Sequence, residues 1–67
     1  MNPGDLVSHI SIPERVYMYV GPEISWDDPM RYRYTQYRLD MVHVVALGDP
    51  TFRKLRFHQS YLSEVQQ

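Results

Sequence analysis

The amino-acid sequence predicts an all-β fold: a small five-stranded barrel with a long loop after the second strand and a single 3₁₀ turn before the last. Three observations predict it. Turn residues recur along the chain, at Pro3-Gly4, Pro13, Gly21-Pro22, Asp28-Pro29 and Gly48-Asp49-Pro50. The segments between them are short and rich in Val, Ile, Tyr and Phe, the side chains that suit a pleated, half-buried surface. No run between the breakers has the spacing of an amphipathic helix of ordinary length.

The elements follow in order. A first strand is expected over Asp5 to Ile12, opened by the Pro3-Gly4 turn. A second covers Arg15 to Val20, with Val16, Met18 and Val20 on one face and Tyr17 and Tyr19 on the other; Gly21-Pro22 ends it. The excursion SWDDPMRYRYTQ comes next, and Asp27, Asp28 and Pro29 favour a turn there. A long third strand runs from Tyr37 to Ala46. Leu39, Met41, His43 and Val45 share one face, while Arg38, Asp40, Val42 and Val44 share the other. That second face begins polar and turns apolar, as for a strand that leaves one sheet and enters another. After the Gly48-Asp49-Pro50 turn, Thr51 to His58 forms a fourth strand with Leu55 and Phe57 in phase. Gln59-Ser60-Tyr61-Leu62 makes the 3₁₀ turn, and Ser63-Glu64-Val65 the last strand. Tyr61 and Leu62 are expected to plug the open end of the barrel, with Val65 pairing back beside the first strand.

Five strands with these connections are the plan of an SH3-like barrel. GDLV at the start, VYMYVG in the second strand, the apolar VHVVAL and the ending FHQSYLSEV resemble small SH3-like barrel proteins encoded by bacteriophages. The resemblance covers nearly the whole chain apart from residues 23 to 36. It implies the fold and a phage origin, with the host cytoplasm or the virion as the location; it supplies no catalytic residues.

Length and composition set bounds. At 67 residues the chain is expected to be a single domain, residues 1–67. A domain of this size buries only about 60% of the surface its unfolded chain exposes, so its core is small. There is no cysteine, which removes disulfides, thiolate metal sites and thiol nucleophiles. Nine aromatics in a chain that is 43% hydrophobic can support a core. No apolar run approaches the roughly 20 residues that span a bilayer, and the N-terminus lacks the pattern of a secretory signal. A soluble, cytoplasmic protein without membrane partners is expected.

The net charge of −1 is unevenly spread. Residues 1–29 carry five acids and one arginine, and residues 30–67 six bases and three acids. Arg53, Lys54, Arg56 and His58 form a basic patch within TFRKLRFH. They are the residues a nucleic-acid-binding barrel would set against phosphates, with tyrosines stacking on bases. The near-neutral total and the acidic first half argue against a polyanionic partner.

Catalytic and metal chemistry find little support. His9, His43 and His58 lack metal-ligand spacing, and the three glycines make no phosphate loop. Asp27-Asp28 reads as a solvated turn, and no serine sits in a nucleophile elbow. The expectation is a protein that is not an enzyme and uses no cofactor or metal.

The chemistry concentrates instead in Trp26 and the stretch RYRYTQYR. A partial hairpin across Trp26 to Tyr34 would put Tyr32 and Tyr34 on one face and Arg31 and Arg33 on the other. The slip in alternation between Tyr34 and Tyr37 then marks a bulge or turn near Thr35-Gln36. Trp, Tyr and Arg dominate interface energetics, because each covers a large area rigidly or offers a fixed donor fork. Trp26, Arg31, Tyr32, Arg33, Tyr34 and Tyr37 are therefore the candidate partner-binding residues, and the partner is another protein, of the virion or the host. Open strand edges leave room for a homo-oligomer as well.

Overall fold

The computed structural model describes residues 1–65; Gln66 and Gln67, the end of the expected domain, lie outside the described residues. The fold is of the expected class. Five strands, β1 (Leu6–His9), β2 (Ile12–Pro22), β3 (Met41–Ala46), β4 (Lys54–His58) and β5 (Leu62–Glu64), form one antiparallel sheet in the order β4-β3-β2-β1-β5. The last strand thus lies beside the first. Val65 continues the pairing, donating its N–H to the Leu6 carbonyl at 3.0 Å.

Alternation decides what enters the core. Tyr17 and Tyr19 point inward from β2, Val42 and Val44 from β3, and Val7 and Leu62 meet them from β1 and β5. Ala46, Leu55 and Phe57 pack against this cluster, and Phe57 sets its edge on Tyr17 at 5.4 Å between ring centres. Two large tyrosines let a short sheet fill its own interior. Burial pushes the Tyr19 phenol above its ordinary pKa.

The strand limits depart from the sequence reading in informative ways. The first strand stops at His9, and Ile12 belongs to β2, because Ile10-Ser11 is a two-residue hairpin turn. It lacks the usual Gly or Asn; the His9 ring closes it by accepting the Ser11 N–H at its Nδ1, 3.0 Å away. Pro13 lies within β2 rather than before it. Between the pairs Val7↔Tyr17 and His9↔Ile12, Ser8 alone faces the stretch Pro13 to Val16, so β2 bulges outward there. A proline costs no ladder bond in such a bulge. At its other end β2 runs on through Gly21 and Pro22, with a second irregularity against β3 between Tyr19 and Gly21.

The largest correction concerns Tyr37 to Asp40, which do not extend the third strand. Gln36–Leu39 is a single α-turn, α1, and β3 begins only at Met41. The Thr35 hydroxyl caps it, accepting the Arg38 N–H at 3.3 Å. The polar-to-apolar change from Arg38 and Asp40 to Val42 and Val44 therefore marks a helix–strand junction, not a strand changing sheets. The fourth strand is also shorter than expected, because the turn after β3 continues to Phe52. Gly48 in that turn has φ 87°, a backbone region that suits glycine. Gln59–Tyr61 forms the 3₁₀ turn η2, capped by His58, whose Nδ1 accepts the Ser60 N–H at 3.2 Å.

No helix among the described residues is long and apolar enough to cross a membrane.

Candidate interaction surface

The excursion between β2 and β3 is built from consecutive capped turns. Ile24 is buried and anchors its start. The Ser25 hydroxyl accepts the Asp27 N–H at 3.2 Å, and the Asp28 carboxylate accepts the Met30 N–H at 2.8 Å. These short polar side chains satisfy the backbone locally, so Asp28 of the acid pair works as turn chemistry. A second 3₁₀ turn, η1, follows over Arg31–Arg33.

No hairpin forms across Trp26 to Tyr34, and the expected faces are not the observed ones. In a 3₁₀ turn residues three apart eclipse, so Arg31 and Tyr34 fall together on the half-buried side, while Tyr32 and Arg33 are exposed. The slip in alternation after Tyr34 is the turn of the two alternatives: α1, capped by Thr35, starts at Gln36.

Three aromatics of the candidate set stand out in solvent: Trp26 is 74% exposed, Tyr32 77% and Tyr37 64%. Tyr34 is half-buried. Each arginine of the stretch lies over a ring. The Arg31 guanidinium carbon is 4.1 Å from the Trp26 ring centre, Arg33 is 5.9 Å from Tyr32, and Arg38 is 5.6 Å from Tyr34. Contacts of this kind contribute about 0.5–1 kcal/mol each at exposed sites. Among the described residues these three arginines make no ion pair. Arg33 and Arg38 are exposed, so their N–H forks stay open to solvent. The Arg31 Nη1 is buried without a hydrogen-bond partner among the described residues.

A feature that sequence reasoning missed adjoins this loop. Exposed Tyr37 lies 4.8 Å from the His58 ring, His58 6.0 Å from Tyr61, Tyr61 5.6 Å from His9, and His9 4.9 Å from Phe57. A run of rings thus links α1 and η2 to the core. No spacing rule could reveal it, because its members come from four separate elements. Asp40 braces the same region. Its Oδ1 accepts from the Gln36 and Gln59 amides at 2.9 and 3.2 Å, and its carbonyl accepts the Gln59 N–H at 2.9 Å. Trp26 and Tyr19 border an open groove of about 510 Å³ with Asp40 and His58.

Ser60, His58 and Asp40 stand in the order of a nucleophile, a base and an orienting acid: Ser60 Oγ is 2.7 Å from His58 Nδ1, and His58 Nε2 is 3.7 Å from Asp40 Oδ2. The Nδ1 lone pair is already engaged by the Ser60 backbone N–H, and 3.7 Å is too long for a hydrogen bond to orient the ring. The arrangement is a helix cap.

The basic strand is divided. Arg53 and Lys54 are exposed, but Arg56 grips Glu23 through its Nε at 2.9 Å and its Nη2 at 3.1 Å, and His58 faces Asp40 and Ser60. The three histidines part company: His9 serves the β1–β2 turn, His58 caps η2, and His43 lies half-buried in β3 opposite Arg56. Among the described residues no cluster of three His, Asp or Glu side chains could hold a metal ion. No protein-family model, curated protein or solved structure matches the chain.

Proposed function

We propose that this chain is a non-catalytic interaction module that docks another protein through Trp26, Arg31, Tyr32, Arg33, Tyr34 and Tyr37. The observation that supports the reading is the exposure of Trp26, Tyr32 and Tyr37 beside arginines stacked on rings. Holding such side chains in water forgoes the burial that makes them useful in a core, and an anchor of this type commonly contributes about 2 kcal/mol or more when a partner desolvates it. The exposed forks of Arg33 and Arg38 suit carboxylates on that partner. The resemblance of the start and end motifs to phage-encoded barrels directs the search to virion components and host proteins.

The test replaces Trp26 and Tyr32 together with alanine. Capture of partners from a host extract by the immobilised chain should be lost, while the circular dichroism spectrum and melting temperature stay close to those of the parent. Unfolding of the double variant would show that the two rings support the fold instead. Short nucleic acids should not shift in electrophoresis at low micromolar protein in about 0.1 M salt. A shift that fades steeply with added salt would transfer the function to Arg53 and Lys54.

A further inference from the structure

At the end of the β2–β3 pair opposite the aromatic loop, the β2 bulge and the β3–β4 turn enclose a second open groove of about 510 Å³. Val16, Ala46 and Leu55 contribute apolar surface to it. Its charged residues are two acids, Glu14 and Asp49, and two arginines, Arg15 and Arg53.

Beside it stands Phe52. This residue has φ 51°, in the left-handed region that bulky side chains avoid. Its ring is 72% exposed, and Leu47 across the turn is 53% exposed. The turn leading into it is fixed by hydrogen bonds: the Phe52 N–H donates to the Asp49 carbonyl at 3.2 Å, and the Asp49 carboxylate accepts from the Thr51 N–H and hydroxyl. The turn therefore holds an apolar wedge outward, near a recess of mixed apolar and charged lining, and among the described residues both lie open.

We propose that this end of the barrel is a two-fold interface between copies of the chain, with Phe52 of each copy seated in the groove of the other. Charge complementarity selects a second copy. In a two-fold contact the same patch meets itself, and a patch with equal numbers of acids and arginines can set opposite charges against each other. A one-signed patch would repel its own copy. The groove is small, so the dimer is expected to be weak, at the low end of specific interfaces. Its consequence is functional. The long loop leaves β2 at Pro22, where Val42 is the partner, whereas the turn lies beyond Ala46, the partner of Tyr17. Each copy would present its aromatic loop away from the dimer contact, and a multivalent partner would be bound with avidity.

Sedimentation velocity from low micromolar to sub-millimolar protein tests this. The parent should move from monomer towards dimer, and the Trp26/Tyr32 double alanine variant should do the same, which separates this interface from the partner surface. Phe52→Asn removes the wedge with a residue that tolerates a positive φ; it should remain monomeric at the highest concentration with an undiminished melting temperature. Arg53→Glu, which leaves the strained residue untouched, should weaken self-association at least tenfold. A parent that stays monomeric throughout overturns the proposal. So does a dimer that survives both Phe52→Asn and Arg53→Glu, or one that the Trp26/Tyr32 variant loses.

Discussion

Asp49 shows how much one side chain can organise on a surface turn. Its carboxylate accepts the Thr51 hydroxyl at 2.7 Å and the Thr51 N–H at 2.9 Å. These bonds, the hydroxyl first and the backbone N–H second, hold its pKa below the ordinary aspartate value, with the charge of Arg53 adding to them. A carboxyl with a lower pKa folded than unfolded stabilises the fold above the unfolded value, about 3.9. That contribution is lost as pH falls through the folded value. Melting temperature should therefore decline as the solution is acidified below about pH 4, and less steeply in Thr51→Val, which removes the hydroxyl donor. Equal acid slopes for parent and variant would show that the hydroxyl bond is not what holds the carboxyl down. Phe52 three residues on is the opposite case, a ring in a backbone region that costs about 1–3 kcal/mol for a non-glycine residue. Sequence patterning could not expose that strain, since Phe52 reads simply as part of a β-prone run.

Elements were legible in the sequence where burial alone set them. Tyr17 and Tyr19, Val42 and Val44, and Leu55 and Phe57 alternate cleanly, and the sheet follows the alternation. The 3₁₀ turn at Gln59–Tyr61 and the final strand also fall where expected, within a residue. Where hydrogen bonds to side chains set the boundary, alternation misled. Tyr37 to Asp40 continue the strand pattern of β3 without a break, and only Thr35 as a cap marks the helix. The Ile10-Ser11 turn depends on an imidazole rather than a turn residue. The candidate loop was legible in composition but not in shape, because capped turns replace the hairpin that alternating Arg and Tyr suggest. Asp40 carries the junction between these elements. Asp40→Ala removes the side-chain acceptor of both the Gln36 and Gln59 amides and leaves the Asp40 carbonyl to hold the Gln59 N–H alone, which loosens the junction. A loss of about 1–2 kcal/mol is expected, or roughly 4–16 °C in melting temperature for a domain of this size. Hydrogen exchange should quicken first at Gln59 and Ser60. Unchanged exchange there, with global loss of stability, would show that Asp40 supports the core and not the junction.

For the whole molecule the decisive contact is the return of the last strand. The long-range closure of β5 on β1 is made by the pairs Val7↔Glu64, Ser8↔Ser63 and His9↔Leu62, with Val65 added beside Leu6. Of the three residues of β5 only Leu62 is buried, and it joins the cluster of Val7, Tyr17, Tyr19, Val42 and Val44. Truncating a buried leucine to alanine costs about 2–5 kcal/mol. A chain of 67 residues has a total stability of only about 3–10 kcal/mol at ordinary values per residue. Leu62→Ala should thus remove about a fifth or more of it, and the barrel should open as a unit, because among the described residues β5 pairs with β1 alone. Val45→Ala offers the comparison. Val45 is also buried, but it lies outside the six-residue core cluster and on a strand paired on both sides, so its loss should be clearly smaller. Urea unfolding followed by tyrosine and tryptophan fluorescence measures both. If Val45→Ala proves as costly as Leu62→Ala, stability is spread evenly through the sheet, and closure by the last strand is not what holds the barrel shut.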